Sequence, residues 1–286
     1  MDRVRLLREQ LGPWQAVRLD GSLRGSGLNA VWKIRLPDGP AILKTFSARR
    51  SHGRTFWTNV ANRLGGRTSY TARGRHRTET ASLALWKEAG LDVPRLLPCP
   101  PAMRLCLPHF CMEFLDGELL SRHLANENVS GADRDDTFVR FLRIWAARHA
   151  LAVKRQDSRL IQEHGSFEHV MKVDDRLVTF DLEVAFRRRR SVRACLVQEI
   201  CGYLRSLFRL LPDPLARHFF ELAVKEYPRR DYLREVPRHL FRNPNPISRI
   251  VHGFDRRLLR KPGKWHKYRV AELLETELDR QASLQP

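Results

Sequence analysis

Hydrophobic positions in the first third of the chain come in short runs that suit strands. Residues 15–19 lead into 21–36 (GSLRGSGLNAVWKIRL), then the turn Pro37-Asp38-Gly39, then 40–46 (PAILKTF). Proline, aspartate and glycine together are turn chemistry, so the last two runs read as strand-like segments separated by a turn. Residues 47–77 lose the pattern and read as an irregular segment. Glu79–Glu88 is helical in period, with Ala81, Leu85 and Trp86 on one face and Ala89-Gly90 closing it. Leu91-Asp92-Val93-Pro94 enters another strand, and His109 to Gly117 is an apolar strand that breaks at Asp116-Gly117. Helical spacing then takes over in Thr137–Lys154, Val192–Leu211, Leu215–Tyr227 and Val270–Asp279. Within Thr137–Lys154, His149 reads as a packed core histidine. No internal repeat or low-complexity tract interrupts the sequence.

Between the helices lies His164 to Phe186, a polar turn, a strand, the turn Asp174-Asp175 and a second strand through Leu177, Val178, Thr179 and Phe180. Polar groups at both ends of such a hairpin place His164, Ser166, Glu168, His169 and Asp181 on one rim, suited to a metal or a phosphate.

Composition narrows the partners. The 286 residues carry 52 Lys+Arg against 32 Asp+Glu, a formal net charge of +20. Such a surface seeks polyanions. No zinc-finger, RNP-type or basic heptad signature accompanies it, so nucleic acid is not favoured. The five cysteines include no CxxC pair and suit a reducing cytosol. No apolar run is long enough to span a bilayer, and the charged first residues lack the core of a secretory signal, which together predict a cytoplasmic protein.

Several residues carry candidate chemistry. Gly21, Gly25 and Gly27 suit either a plain tight turn or a hairpin tip close to phosphate oxygens. Lys44 stands in an apolar strand, where an inward lysine needs an anion and an outward one is a solvated edge. Glu79 on the following helix supplies a carboxylate for such a pair. The basic 47–77 stretch, with Phe56, Trp57 and Tyr70, is a solvated loop or a surface facing headgroups and phosphates. Arg187–Arg190 is a solvated run or a dock for a phosphorylated acceptor. Residues 237–268 alternate cations with Ile250, Phe254 and Leu258, as in an interfacial membrane helix or in a helix packed on the protein with its basic face in water.

In this order the motifs resemble the protein-kinase-like superfamily, and within it the bacterial lipopolysaccharide core kinases that phosphorylate Kdo or heptose. The resemblance runs over residues 15–211. Gly21 to Val31, with Gly25 and Gly27, looks like the Gly-rich loop, Lys44 like the phosphate-binding lysine and Glu79 like its partner. Met112–Gly117, with Glu113, is similar to the hinge that binds adenine. His164-Gly165-Ser166-Phe167 looks like the catalytic loop and Phe180-Asp181-Leu182-Glu183 like the metal-binding segment. Two departures stand out. Ser166 occupies the catalytic aspartate's position, and serine cannot hold a proton as a carboxylate does. Met171 falls where a metal-binding asparagine belongs, unless a two-residue deletion brings His169 there. Glu168 is the candidate replacement for the missing carboxylate.

The resemblance implies a two-lobed, kinase-like α+β fold with a β-rich N-lobe over 1–114, a helical C-lobe over 115–236 and a basic extension over 237–286. It implies ATP with Mg²⁺ or Mn²⁺ as cofactors. The expected activity is phosphorylation of a sugar hydroxyl on a lipid-linked, phosphorylated glycan at an anionic membrane surface, on the cytoplasmic side. Asp181 is then both metal ligand and catalytic group. A catalytically dead scaffold and a soluble small-molecule kinase are the alternatives.

Overall fold

The computed structural model describes residues 11–19, 29–47, 52–188, 190–242 and 265–283. The chain forms two compact units, one of residues 1–117 and 178–187, the other of 118–177 and 188–286. The mixed α+β architecture expected from the sequence is the one observed, with antiparallel strands gathered early and helices late.

The first unit is built on a five-stranded antiparallel sheet. Its strands are β1 (Val17–Arg18), β2 (Asn29–Leu36), β3 (Gly39–Phe46), β4 (Leu96–Leu97) and β5 (His109–Glu113), in the order β1-β2-β3-β5-β4. β2 and β3 pair along their full length, closing at Leu36↔Gly39. Gly39 carries φ of 124°, a conformation L side chains rarely adopt, which explains the glycine there. In β2, Trp32 and Ile34 are buried while the alternating Lys33 and Arg35 are not, the pattern of a strand covered on one face. β3 differs, because every residue from Ala41 to Phe46 is buried. Ala41 and Leu43 join the core with Leu11, Trp32, Ile34, Met103 and Cys111. By the strand's period Ile42, Lys44 and Phe46 point to the other face, so Lys44 is enclosed rather than at an edge.

Residues 47–77 are not irregular. They contain α1 (His52–Leu64) and the first turns of α2 (Ala72–Glu88). α2 starts at Thr71, whose hydroxyl accepts the Gly74 N–H at 3.0 Å. Glu79 therefore sits in mid-helix, not on a first turn. The buried positions of α2 are Arg75, Glu79, Ser82, Leu83 and Trp86, while Ala81 is exposed. A helix whose inward face carries an arginine and a glutamate has no apolar stripe in its first half, which is why its beginning was invisible. Its end is a Schellman closure, with Gly90 at φ 78°, its N–H on the Lys87 carbonyl and the Leu91 N–H on that of Trp86.

The second unit contains β6 (Glu118–Leu119), α3 (Leu120–Ala125), α4 (Gly131–Arg155), β7 (Val170–Val173), β8 (Arg176–Thr179), α5 (Val192–Leu210), α6 (Asp213–Glu226), α7 (Arg230–Phe241) and α8 (Lys267–Ser283), the chain returning to the first unit at Val178. The β7–β8 hairpin turns at Asp174, whose φ is 49°. α4 begins six residues before the apolar pattern does, because Ser130 caps it by accepting the Asp133 N–H at 3.1 Å. α5 follows its periodicity closely and is capped by Ser191. Residues 237–241 complete α7, whose buried side chains include Tyr232, Leu233, Val236 and Leu240. Residues 243–264 of the basic 237–268 stretch lie outside the described residues, as do Gly21, Gly25 and Gly27.

Candidate functional site

Within the first unit Lys44 is held between two carboxylates. Its Nζ donates to Glu79 at 2.8 Å and to Asp181 at 2.6 Å. Lys44 and Glu79 are buried, whereas the Asp181 side chain is about one-third exposed, at 32%. Asp181 has φ of 63°, a left-handed conformation that aspartate tolerates better than most residues. Glu183, two residues on, pairs with the buried Arg75 at 3.2 Å and accepts from Asn29. Arg75 also donates to Asn29 and to the Ser47 carbonyl at 2.8 Å, and lies over the Phe46 and Tyr70 rings.

Burial alone would push the Lys44 ammonium toward neutrality. Asp181, then Glu79, then Glu183 overturn that and hold its pKa above the ordinary lysine value. Burial raises Glu79 to about 7, with Asp181 adding to the rise and Lys44 opposing it. The site thus keeps a fixed positive charge and spare carboxylate capacity.

Glu79, Asp181 and Glu183 each bring a carboxylate oxygen within 4.8 Å of the others. An all-oxygen donor set fits Mg²⁺ or Mn²⁺, which prefer hard ligands. His169, the other metal-site candidate, belongs to the second unit. Its Nδ1 bonds the His164 carbonyl at 2.9 Å. Glu113 has both its N–H and its carboxylate engaged by the Arg95 backbone, at 2.8 Å and 3.1 Å.

In the second unit Ser166 is buried and caps a short turn, its hydroxyl accepting the Glu168 N–H at 3.3 Å. Arg209 of α5 donates to the same hydroxyl at 3.0 Å and to the half-exposed Glu168 carboxylate. Sequence reading missed Arg209, one of three arginines in α5, which lies 43 residues from Ser166 and which nothing in the sequence sets apart from Arg193 and Arg205.

The loop's backbone is fixed from below. A Cβ on Gly165 would lie 2.6 Å from Tyr203, and one on Gly202 would lie 2.8 Å from the Gly165 carbonyl, so two glycines allow the loop to touch α5. Phe167 is buried among Phe138, Phe141 and Tyr203. Beneath it Glu199 is fully buried and accepts from Arg148 at 2.6 Å, from the Gln162 N–H at 2.9 Å and from His149 at 2.6 Å. His149 in turn lies 2.6 Å from the Tyr227 hydroxyl, the packed core histidine expected from its helix face. Of the basic run 187–190, Arg187 donates to the Arg67 carbonyl at 3.0 Å and Arg190 reaches Gln198 at 3.5 Å, while residue 189 lies outside the described residues.

The described elements form a mixed α+β fold of a β-rich unit and a helical unit, and in the β-rich unit an inner strand offers a lysine to a helix glutamate and to an aspartate after a hairpin. No family model and no curated protein matches the chain. Among solved structures it is similar to WaaP in complex with acyl carrier protein, at 16% identity and a TM-score of 0.44, over 88% of this chain and 92% of that one. It is similar to the PknI kinase domain of Mycobacterium tuberculosis at 12% identity and a TM-score of 0.40, over 67% of this chain and 72% of that one. An apo pseudokinase matches at 14% identity and a TM-score of 0.42, covering 90% of each chain.

Proposed function

We propose that this protein is a phosphotransferase that binds ATP with a divalent cation and phosphorylates a sugar hydroxyl on a lipid-linked, phosphorylated glycan. The observation that carries the reading is Lys44 clamped by Glu79 and Asp181. A buried lysine of fixed charge aims at α- and β-phosphates, and its partner Glu79 keeps it there. Asp181, the more exposed of its two partners, together with Glu183 would hold Mg²⁺ or Mn²⁺, which when bound supplies charge neutralisation at the phosphates. Gly25 and Gly27 are proposed to cover the phosphates and Glu113 to lie at the adenine edge. Glu168 is the proposed carboxylate toward the acceptor hydroxyl, oriented by Arg209, because Ser166 spends its hydroxyl on the turn and on Arg209. The glycan and the anionic membrane surface, on the cytoplasmic side, rest on the resemblance of the motifs and on the net charge of +20.

A thermal-shift titration with ATP plus Mg²⁺ or Mn²⁺ tests the nucleotide site, since a ligand that binds only the native state raises the melting temperature. A metal-dependent rise in wild type that is lost in Asp181→Asn supports it, and no rise with either metal rejects it. A scaffold without transfer is favoured by one observation, the serine at the catalytic position with its hydroxyl bonded to Arg209. Ser166→Asp separates the two readings, raising transfer in an impaired enzyme and leaving a scaffold inert.

A further inference from the structure

On the face of the first unit's sheet opposite Lys44, the sulfurs of Cys99 and Cys111 lie 2.9 Å apart. Cys111 is central in β5, opposite Leu43 and Leu97, and fully buried. Cys99 lies two residues beyond β4 and is half-buried. A disulfide sets its sulfurs about 2.05 Å apart, so closure needs a sulfur displacement of under about 1 Å. Side-chain rotation supplies that without moving a paired strand.

We propose that Cys99 and Cys111 form a reversible modification site, closed to a disulfide by a peroxide. Cys99, reachable from solvent, is the attacking sulfur. Its thiolate takes one peroxide oxygen, the O–O bond breaks, and hydroxide leaves a Cys99 sulfenic acid. The Cys111 sulfur then attacks the Cys99 sulfur, the S–O bond breaks and, with the thiol proton, water leaves. Each sulfur is oxidised by one electron, and the peroxide is reduced to two waters. A thiol reductant reverses the bond. The hydrogen bond between the sulfurs lowers the Cys99 pKa, against the opposing effect of burial, which favours the attacking thiolate. The disulfide ties the segment after β4 to the strand that precedes Glu113. This proposal stands apart from the proposed function, since the two sulfurs lie on the sheet face opposite Lys44.

The test treats the intact protein with hydrogen peroxide, blocks remaining thiols by alkylation, and maps peptides by mass spectrometry with and without dithiothreitol. The expected result is a reducible Cys99–Cys111 link, retained in Cys106→Ser and absent in Cys99→Ser. Oxidised wild type should also melt above its reduced form, with no such difference in Cys99→Ser. A link from Cys99 to the exposed Cys106, conversion of Cys99 to sulfinic acid without a link, or no change at Cys99 would each overturn the proposal.

Discussion

Lys44 keeps its charge only because of its neighbours. With Lys44→Met, Glu79 loses its buried partner and Asp181 loses its own. Removing one side of a buried pair costs about 3–5 kcal/mol, so the urea midpoint should drop sharply. His149 makes a second prediction at this scale. Its pKa is lowered, first by burial, despite the hydrogen bond to Glu199. The unfolded chain therefore takes up the proton before the folded one does, and stability is full above pH 6.5 and falls as pH drops below it. Glu199 is held down by Arg148 and His149 against its burial, so its contribution is lost only at pH below 4.5. Urea unfolding at pH 7.5 and pH 5.5, about one unit either side of the ordinary histidine value, should show the loss, and His149→Gln should flatten it. Lys44, Glu79 and Asp181 were legible because each carries a motif's spacing. Arg75 and Arg209 were not, because each acts from a helix face where nothing in the period distinguishes a bound arginine from a solvated one.

At the scale of elements, apolar period predicted what apolar burial made. α5 and the core of α4 followed it, and so did the strand runs that became β2 and β3 on either side of their turn. α1 and the first half of α2 did not, because α2 turns Arg75 and Glu79 inward and its start is set by the Thr71 cap. Thr71→Ala should cost about 1 kcal/mol in urea unfolding through the lost cap. The 164–167 loop depends on a different property, absence of volume. Gly165→Ala drives a methyl into Tyr203, where the added Cβ would stand 2.6 Å from the ring. Overpacking of that kind costs about 1–3 kcal/mol, read in the same assay. Gly202→Ala should behave likewise, against the Gly165 backbone.

Over the whole molecule the charge dominates. No described helix is long and apolar enough to cross a membrane. If the net charge of +20 brings the protein to anionic lipid, flotation with such liposomes should be strong in dilute salt. It should fade as the screening length falls from about 10 Å at 0.1 M to about 3 Å at 1 M. Flotation that fails would remove the membrane from the proposed function and favour a small-molecule acceptor. Flotation that ignores salt would instead assign the contact to apolar side chains rather than to charge. The division of the chain also bears on how this gene can be cut. The first unit is assembled from two separate stretches, and the second stretch, 178–187, brings Asp181 and Glu183. A fragment ending at Gly117 keeps Lys44 and Arg75 but loses one carboxylate partner of each. No single breakpoint therefore transplants the lysine site into another protein, and recombination that preserves it must carry both stretches together.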